Sequence, residues 1–250
     1  MTFSSEWLLV AGILAFYVQD SVRLAYFDDV VVSGGRTWRV AIEAVIEMRG
    51  RFLWLPHPLL PARTILHASW LASAENAATD TADDLRAFAR LLLPIRVGCV
   101  LVGAIVLIAL PYLLLSSAPP TWLLACLAAW LAVTLAMLSC LAARRGPLGL
   151  THRQLALLAI ECLLCPPFAV NLYRKLCDLR GFRGDPIAFA ASTLTTRQRQ
   201  MLLEAIERRM ALFAQSTDDE VLLRLQQAGA RIRLTLESTA ATAVPSSMQR

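Results

Sequence analysis

From Val97 to Ala143 the chain runs 47 residues without one Asp, Glu, Lys or Arg, and Arg96 and Arg144 close the stretch at either end. A helix crosses the hydrocarbon core of a bilayer with about 20 apolar residues, so a single crossing cannot use this segment and two can. The break between them is visible as Ser116–Ser117–Ala118–Pro119–Pro120–Thr121, where paired prolines and small polar residues mark a tight turn. The expected unit is a helical hairpin with arms Val97–Leu115 and Trp122–Ala143. Pro111, Tyr112 and Trp122 flank the turn, where interfacial aromatics belong.

The whole chain shares this bias. Hydrophobic residues make up 57% and charged residues 17% of it, more apolar and less charged than a water-soluble domain, which has about 25% charged residues. The N-terminus supplies a third candidate span. Its apolar core, Trp7–Val18, is short, and stretching it over Phe3–Phe27 places Asp20 and Arg23 three apart on one helical face, where they can pair at the interface. A cleaved leader is the rival reading, but no basic segment precedes the apolar core and no small-x-small cleavage pattern follows it.

Orientation follows the arginines. Neither the segment ahead of Trp7 nor the 116–121 turn carries a basic residue, whereas eight Arg fall in 19–94 and fifteen Lys or Arg in 144–250. Basic loops stay cytoplasmic, which gives an N-terminus outside, the hairpin turn outside and a long cytoplasmic tail. A fourth crossing over Gln154–Tyr173 would export twelve basic residues, bury Glu161 in lipid and break its helix at Pro166–Pro167. The expectation is an interfacial or re-entrant element. The net charge of +5 is accounted for by topology and anionic headgroups and calls for no nucleic acid. All the basic residues but Lys175 are Arg, as expected of a GC-rich bacterial genome, and the membrane expected is the inner, cytoplasmic one.

The expected fold class is an all-α integral membrane protein. Its parts are an N-terminal anchor (1–27), a cytoplasmic segment with amphipathic helices (28–93), the hairpin (94–145), the interfacial element (146–184), a cytoplasmic helical segment (185–237) and a disordered tail (238–250). In the second part, Thr37–Arg51 reads as a helix with Trp38, Ile42, Val45 and Ile46 on one face and the pairs Arg39–Glu43 and Glu47–Arg51 on the other. Pro56, Pro58 and Pro61 then impose an extended path. Ala78–Arg96 opens with capping Thr and Asp residues, and Pro94 is placed to kink its entry into the hairpin. Downstream, Asp185–Pro186 is a helix start, and Thr196–Ala214 carries the stripe Leu202, Ile206, Met210 and Phe213. Ser216–Asp219 opens another helix with the stripe Val221, Leu225, Ala228 and Ile232.

Chemistry is sparse. Cys162 and Cys165 form a Cys-x-x-Cys pair that could join His152 and Cys177 around a metal, but the pair sits in an apolar helical run and the other two residues lie outside zinc-ligand spacing. The thiols read as buried hydrophobes, and no cofactor is expected. Within the hairpin, Ala128, Ala132 and Ala136 recur every four residues with Ala125 and Ala129 beside them, a small-residue face for close helix packing that Gly98 and Gly103 could receive. Phosphate-binding loops, dinucleotide turns, zinc-protease helices and nucleophile elbows are missing from the sequence. These features point to a non-enzymatic accessory or assembly subunit whose partners are membrane lipids and other membrane subunits, or a second copy of itself. The alternatives are an enzyme on a lipid-like substrate at the cytoplasmic interface, using His57, His67, Glu161 and Arg174, and a transporter component.

Overall fold

The computed structural model describes residues 5–34, 37–42, 46–48, 51–54, 63–71, 79–116, 118–214 and 219–241. In chain order the elements are α1 (Ser5–Ser21), β1 (Arg23–Ala25), β2 (Asp29–Gly34), β3 (Arg39–Ala41), β4 (Ile46–Met48), β5 (Arg51–Trp54), β6 (Thr64–Ser69) and α2 (Ala82–Leu91). There follow α3 (Leu93–Ala104), a π-helical turn (Ile105–Ala109), α4 (Leu110–Leu115), α5 (Pro120–Ala143), α6 (Arg145–Leu148), α7 (His152–Leu164), α8 (Pro166–Val170) and α9 (Leu172–Arg180). The last described elements are α10 (Pro186–Thr193), α11 (Thr196–Ala214) and α12 (Asp219–Ala241). It is mostly helical, and the expectation of an all-α chain is corrected by the six short strands found among the described residues. Two compact units result, one of Met1–Val22, Leu55–Thr64 and Ala87–Arg180, the other of Arg23–Trp54, Ile65–Arg86 and Gly181–Arg250.

The first unit is built on the charge-free stretch. Leu93–Leu115 runs as one helix of 23 residues, and Pro120–Ala143 as a second of 24 residues; each is long and apolar enough to cross a membrane. The π turn sits directly ahead of Pro111. Proline lacks an N–H and its ring collides with the carbonyl four residues back, and widening the ladder there lets the helix continue past it. Pro94 acts as a starter instead, standing in the first turn of α3 after a break at Leu92.

Hairpin packing follows size rather than the alanine repeat. Trp130, Thr134, Met137, Leu138 and Leu141 are the buried residues of α5, because bulky side chains gain most from contact. Met137 lies in the notch left by Gly98, where an added Cβ would stand 2.3 Å from its Cγ and Sδ. Gly98→Val should therefore cost about 1–3 kcal/mol by overpacking, read as a lower unfolding midpoint in detergent, and Met137→Ala in the same chain should recover most of it.

α1 ends at Ser21, short of the expected 1–27 anchor, because the chain turns into β1 at Arg23. Arg23 is therefore on a strand, where the helical spacing to Asp20 no longer applies. Near the other end of the unit, α7 stops at Leu164. Cys165, preceding a proline, is extended at φ −133° and ψ 102°, as the Pro166 ring requires. With 13 residues, α7 rises about 20 Å, less than the roughly 30 Å of a hydrocarbon core.

The second unit holds two three-stranded sheets, ordered β1-β5-β4 and β3-β2-β6. Over Thr37–Arg51, the expected amphipathic helix is replaced by β3, β4 and the start of β5. Trp38 and Val40 are buried while Arg39 between them is exposed, the two-residue period of a strand. Glu47 and Arg51 lie on the two arms of the β4–β5 pair, opposite Phe52 and Met48 respectively, so they are not helical neighbours. Glu43, Val45 and the Pro56–Pro61 segment lie outside the described residues.

Apolar burial ties strands to helices within this unit. Ala25, Val31, Trp54 and Ile65 form a cluster joined by Phe27, whose ring stacks on Phe213 at 3.8 Å. Asp185 caps α10 through the Ile187 and Ala188 amides. The expected stripe on α11 buries Leu202 and Ile206, while α12 buries Leu225, Ile232 and Leu236 and leaves Val221 at the surface. The Ser216–Asp219 capping turn lies outside the described residues except Asp219, and α12 continues to Ala241, past the expected end at 237. Gly184 closes a tight approach at φ +95°, where a Cβ would come 2.4 Å from the Thr79 Cα. Gly184→Ala meets both a left-handed backbone and main-chain atoms that cannot swing aside, and should cost more than about 2 kcal/mol in a denaturant titration.

Candidate functional site

Among the described residues of the first unit, a polar cluster is assembled around Lys175. Its ammonium lies 2.6 Å from Glu161 Oε2 and 2.9 Å from Asp20 Oδ1, and 4.5 Å from the centre of the Phe168 ring. One compact ammonium with three donors can serve two carboxylates in different directions and still touch an aromatic face. Guanidinium, a planar fork, would be held less well by that arrangement. This gives the sole lysine a structural reason.

Each partner arrives from a different helix. Asp20 is in the last turn of α1, Glu161 near the end of α7, Phe168 in α8 and Lys175 in α9. Asn171, fully buried between α8 and α9, completes the grouping: its amide donates to the Tyr17 carbonyl, Asp20 Oδ2 and Ser21 Oγ at 3.1–3.3 Å. Ser21 Oγ donates to the same Tyr17 carbonyl at 2.7 Å. A helix leaves its last carbonyls without intrahelical partners, and here a residue some 150 positions away caps α1. The end of α1 is thereby fixed to the α8–α9 junction.

Charge within the cluster is balanced by contact. Burial disfavours the Lys175 ammonium, but the hydrogen bonds to Glu161 and Asp20 and their charges prevail and raise its pKa. Arg174, next in sequence, is 3% exposed. Burial lowers its pKa, countered by Tyr17, Asp178 and Asp20.

The cysteines stand apart from this chemistry. Cys162 and Cys177 are buried, Cys165 is half-buried, and His152 is exposed at the first turn of α7, ten residues and about 15 Å of helix from Cys162. Burial pushes the Cys162 thiol up to about 12, far from the thiolate that nucleophiles and metal ligands need. Among the described residues, no group of three His, Cys, Asp or Glu could hold a metal ion.

The packing residues expected in the hairpin also take different places. Ala125, Ala128, Ala129, Ala132 and Ala136 are exposed on α5. Gly98 receives Met137, and Gly103 faces Val170 of α8. The alanine stripe is thus turned away from the unit's own helices.

In the second unit His67 is buried on β6, its ring edge-on to Trp54 at 5.1 Å. Burial, with a smaller contribution from Arg23, lowers its pKa to about 4, so the imidazole is neutral at physiological pH. His57 lies outside the described residues. Arg209, 4% exposed, donates from Nη1 to the carbonyls of Tyr26, Phe27 and Asp29 at 3.0–3.4 Å, closing the turn between β1 and β2. No sequence pattern marked Arg209 or Asn171, since each acts on backbone far away in the chain. Lys175 was marked only by being unlike the other basic residues. Compared with known proteins, the chain matches no family model, no curated protein and no solved structure.

Proposed function

We propose that this chain is a multi-pass accessory or assembly subunit of a bacterial inner membrane, with its N-terminus periplasmic and its C-terminus cytoplasmic. Its hairpin docks on the helices of a partner complex and its second unit is offered to that partner in water. The observation that carries this reading is the outward face of α5. Ala125, Ala128, Ala129, Ala132 and Ala136 are all exposed there, interleaved with Leu124, Leu127, Leu131 and Leu135, also exposed. In water such a face would be unfavourable by roughly 1.5–3 kcal/mol for each large side chain left unburied. In lipid it carries no such cost, and small residues spaced by four let a second helix approach closely.

The lipid-enzyme alternative draws on Glu161 and Arg174. Glu161 is held by Lys175 and Arg174 is enclosed, which makes both better suited to fixing helices than to meeting a substrate. The accessory reading is tested by purifying the chain from its host in a mild detergent and weighing the complex by native mass spectrometry. The expected species contains a second membrane chain in fixed stoichiometry and is lost when Ala128 and Ala132 are both changed to Ile. A lone 27.5 kDa chain that turns over a lipid would overturn it.

A further inference from the structure

The sheet β3-β2-β6 ends on β3, which among the described residues pairs with β2 alone. Beside it runs a groove of about 450 Å³ to which Arg39, Val40, Ala41 and Ile42 all contribute, with Met201 and Arg208 of α11 on the far wall. Three of these residues make up β3 and Ile42 follows it, so the groove runs beside the terminal strand of the sheet. An edge of this kind presents free backbone donors and acceptors to an incoming strand.

The groove is also selective by charge and by surface. Its described lining holds two arginines, Arg39 and Arg208, and no carboxylate. Both arginines are exposed, and Met201, 59% exposed, is a flexible apolar side chain of the sort that adapts to a partner. Leu194 and Leu202 form a buried apolar floor.

We infer that this groove binds an extended acidic segment of a partner protein, added as a fourth strand at β3. Main-chain hydrogen bonds to the edge supply affinity, alternate apolar side chains enter between Ile42 and Met201, and carboxylates on the segment meet Arg39 and Arg208. The inference rests on the accessory reading for the source of the segment.

The test uses the full chain in a non-ionic detergent and a fluorescein-labelled octapeptide alternating valine and glutamate, followed by anisotropy. Two control peptides alternate valine and lysine, or carry proline at the centre of the acidic peptide so that strand pairing is blocked. The acidic peptide should bind, each control at least tenfold more weakly. Binding should fall at least tenfold in Arg39→Glu/Arg208→Glu and in Met201→Glu, at unchanged unfolding midpoints, and should weaken with salt. Equal binding of the proline-broken peptide, binding insensitive to the charge reversal, or none up to about 1 mM would overturn the inference. So would a dimer of the full chain that Met201→Glu dissociates, since the groove would then belong to a second copy. In the native purification, a stoichiometric partner that survives Arg39→Glu/Arg208→Glu sinks the groove and leaves the accessory reading standing. Peptide binding as described, with no partner found, sinks the accessory reading alone.

Discussion

Replacing Lys175 with methionine will lower the stability of the first unit by about 3 kcal/mol or more, the range for removing one member of a buried ion pair. The loss comes from what stays behind. Asp20 and Glu161 both lean on the one ammonium, and Asp20, with only 11% of its side chain exposed, would be left with the Asn171 amide and the charge of Arg174 in place of a direct ion pair. Glu161 is 44% exposed and can be rescued by water, which places the cost at the lower end. A drop in the unfolding midpoint in detergent is the readout, with protease cleavage near Ser21 as a local one, because α1 is tethered through Asp20. Asp20→Asn in the Lys175→Met chain should recover a large part of the loss, since it removes the carboxylate charge that has lost its ion pair. Lys175→Arg should fall between, and a Lys175→Met chain as stable as the parent would show that the cluster holds nothing together.

The second large effect is set by pH. His67 has its pKa lowered from 6.5 to about 4, so the unfolded chain takes up a proton that the folded one refuses. The contribution of this residue is complete above about pH 6.5 and is lost as the pH falls toward 4. At about 1.4 kcal/mol per pKa unit that is about 3 kcal/mol over the window. Carboxylates also titrate there, so the clean quantity is the difference between the parent and His67→Phe, which keeps a ring against Trp54. Denaturant unfolding of the full chain, followed by its tryptophan fluorescence, should show the two converging or crossing as the pH drops from about 7 to about 4. Parallel curves would mean that His67 is not protonated at the cost of unfolding.

The helical hairpin was legible because its signal is long: a charge-free run with one proline-rich break has few ways to fold. The helices α10 and α11 were legible for a similar reason, a capping Asp185 and a stripe sustained over several turns. The strands were not. β1, β3 and β4 have three residues each, too few for an alternating pattern to outvote charged pairs four apart. At Thr37–Arg51 the spacing of Arg39, Glu43, Glu47 and Arg51 fits a helix, while the pairing of β4 with β5 is decided by contacts that no local window contains.

The same limit governs the polar cluster and the alanine stripe. Lys175 was visible as an exception, but its role depends on Asp20 and Glu161 arriving from α1 and α7. The alanines of α5 are periodic in the sequence, while the residues of that helix that take the interior are Trp130, Met137 and Leu141. Periodicity marks a face without saying which neighbour it meets.

The most direct measurement is the membrane sidedness of two positions in living cells, with a periplasm-active phosphatase and a cytoplasm-active fluorescent protein fused in turn after Ala118 and at the C-terminus. Phosphatase activity at the turn between α4 and α5, and fluorescence at the end of the chain, are the results a two-helix hairpin with cytoplasmic flanks requires. Fluorescence at Ala118, or phosphatase activity at the C-terminus, would contradict it.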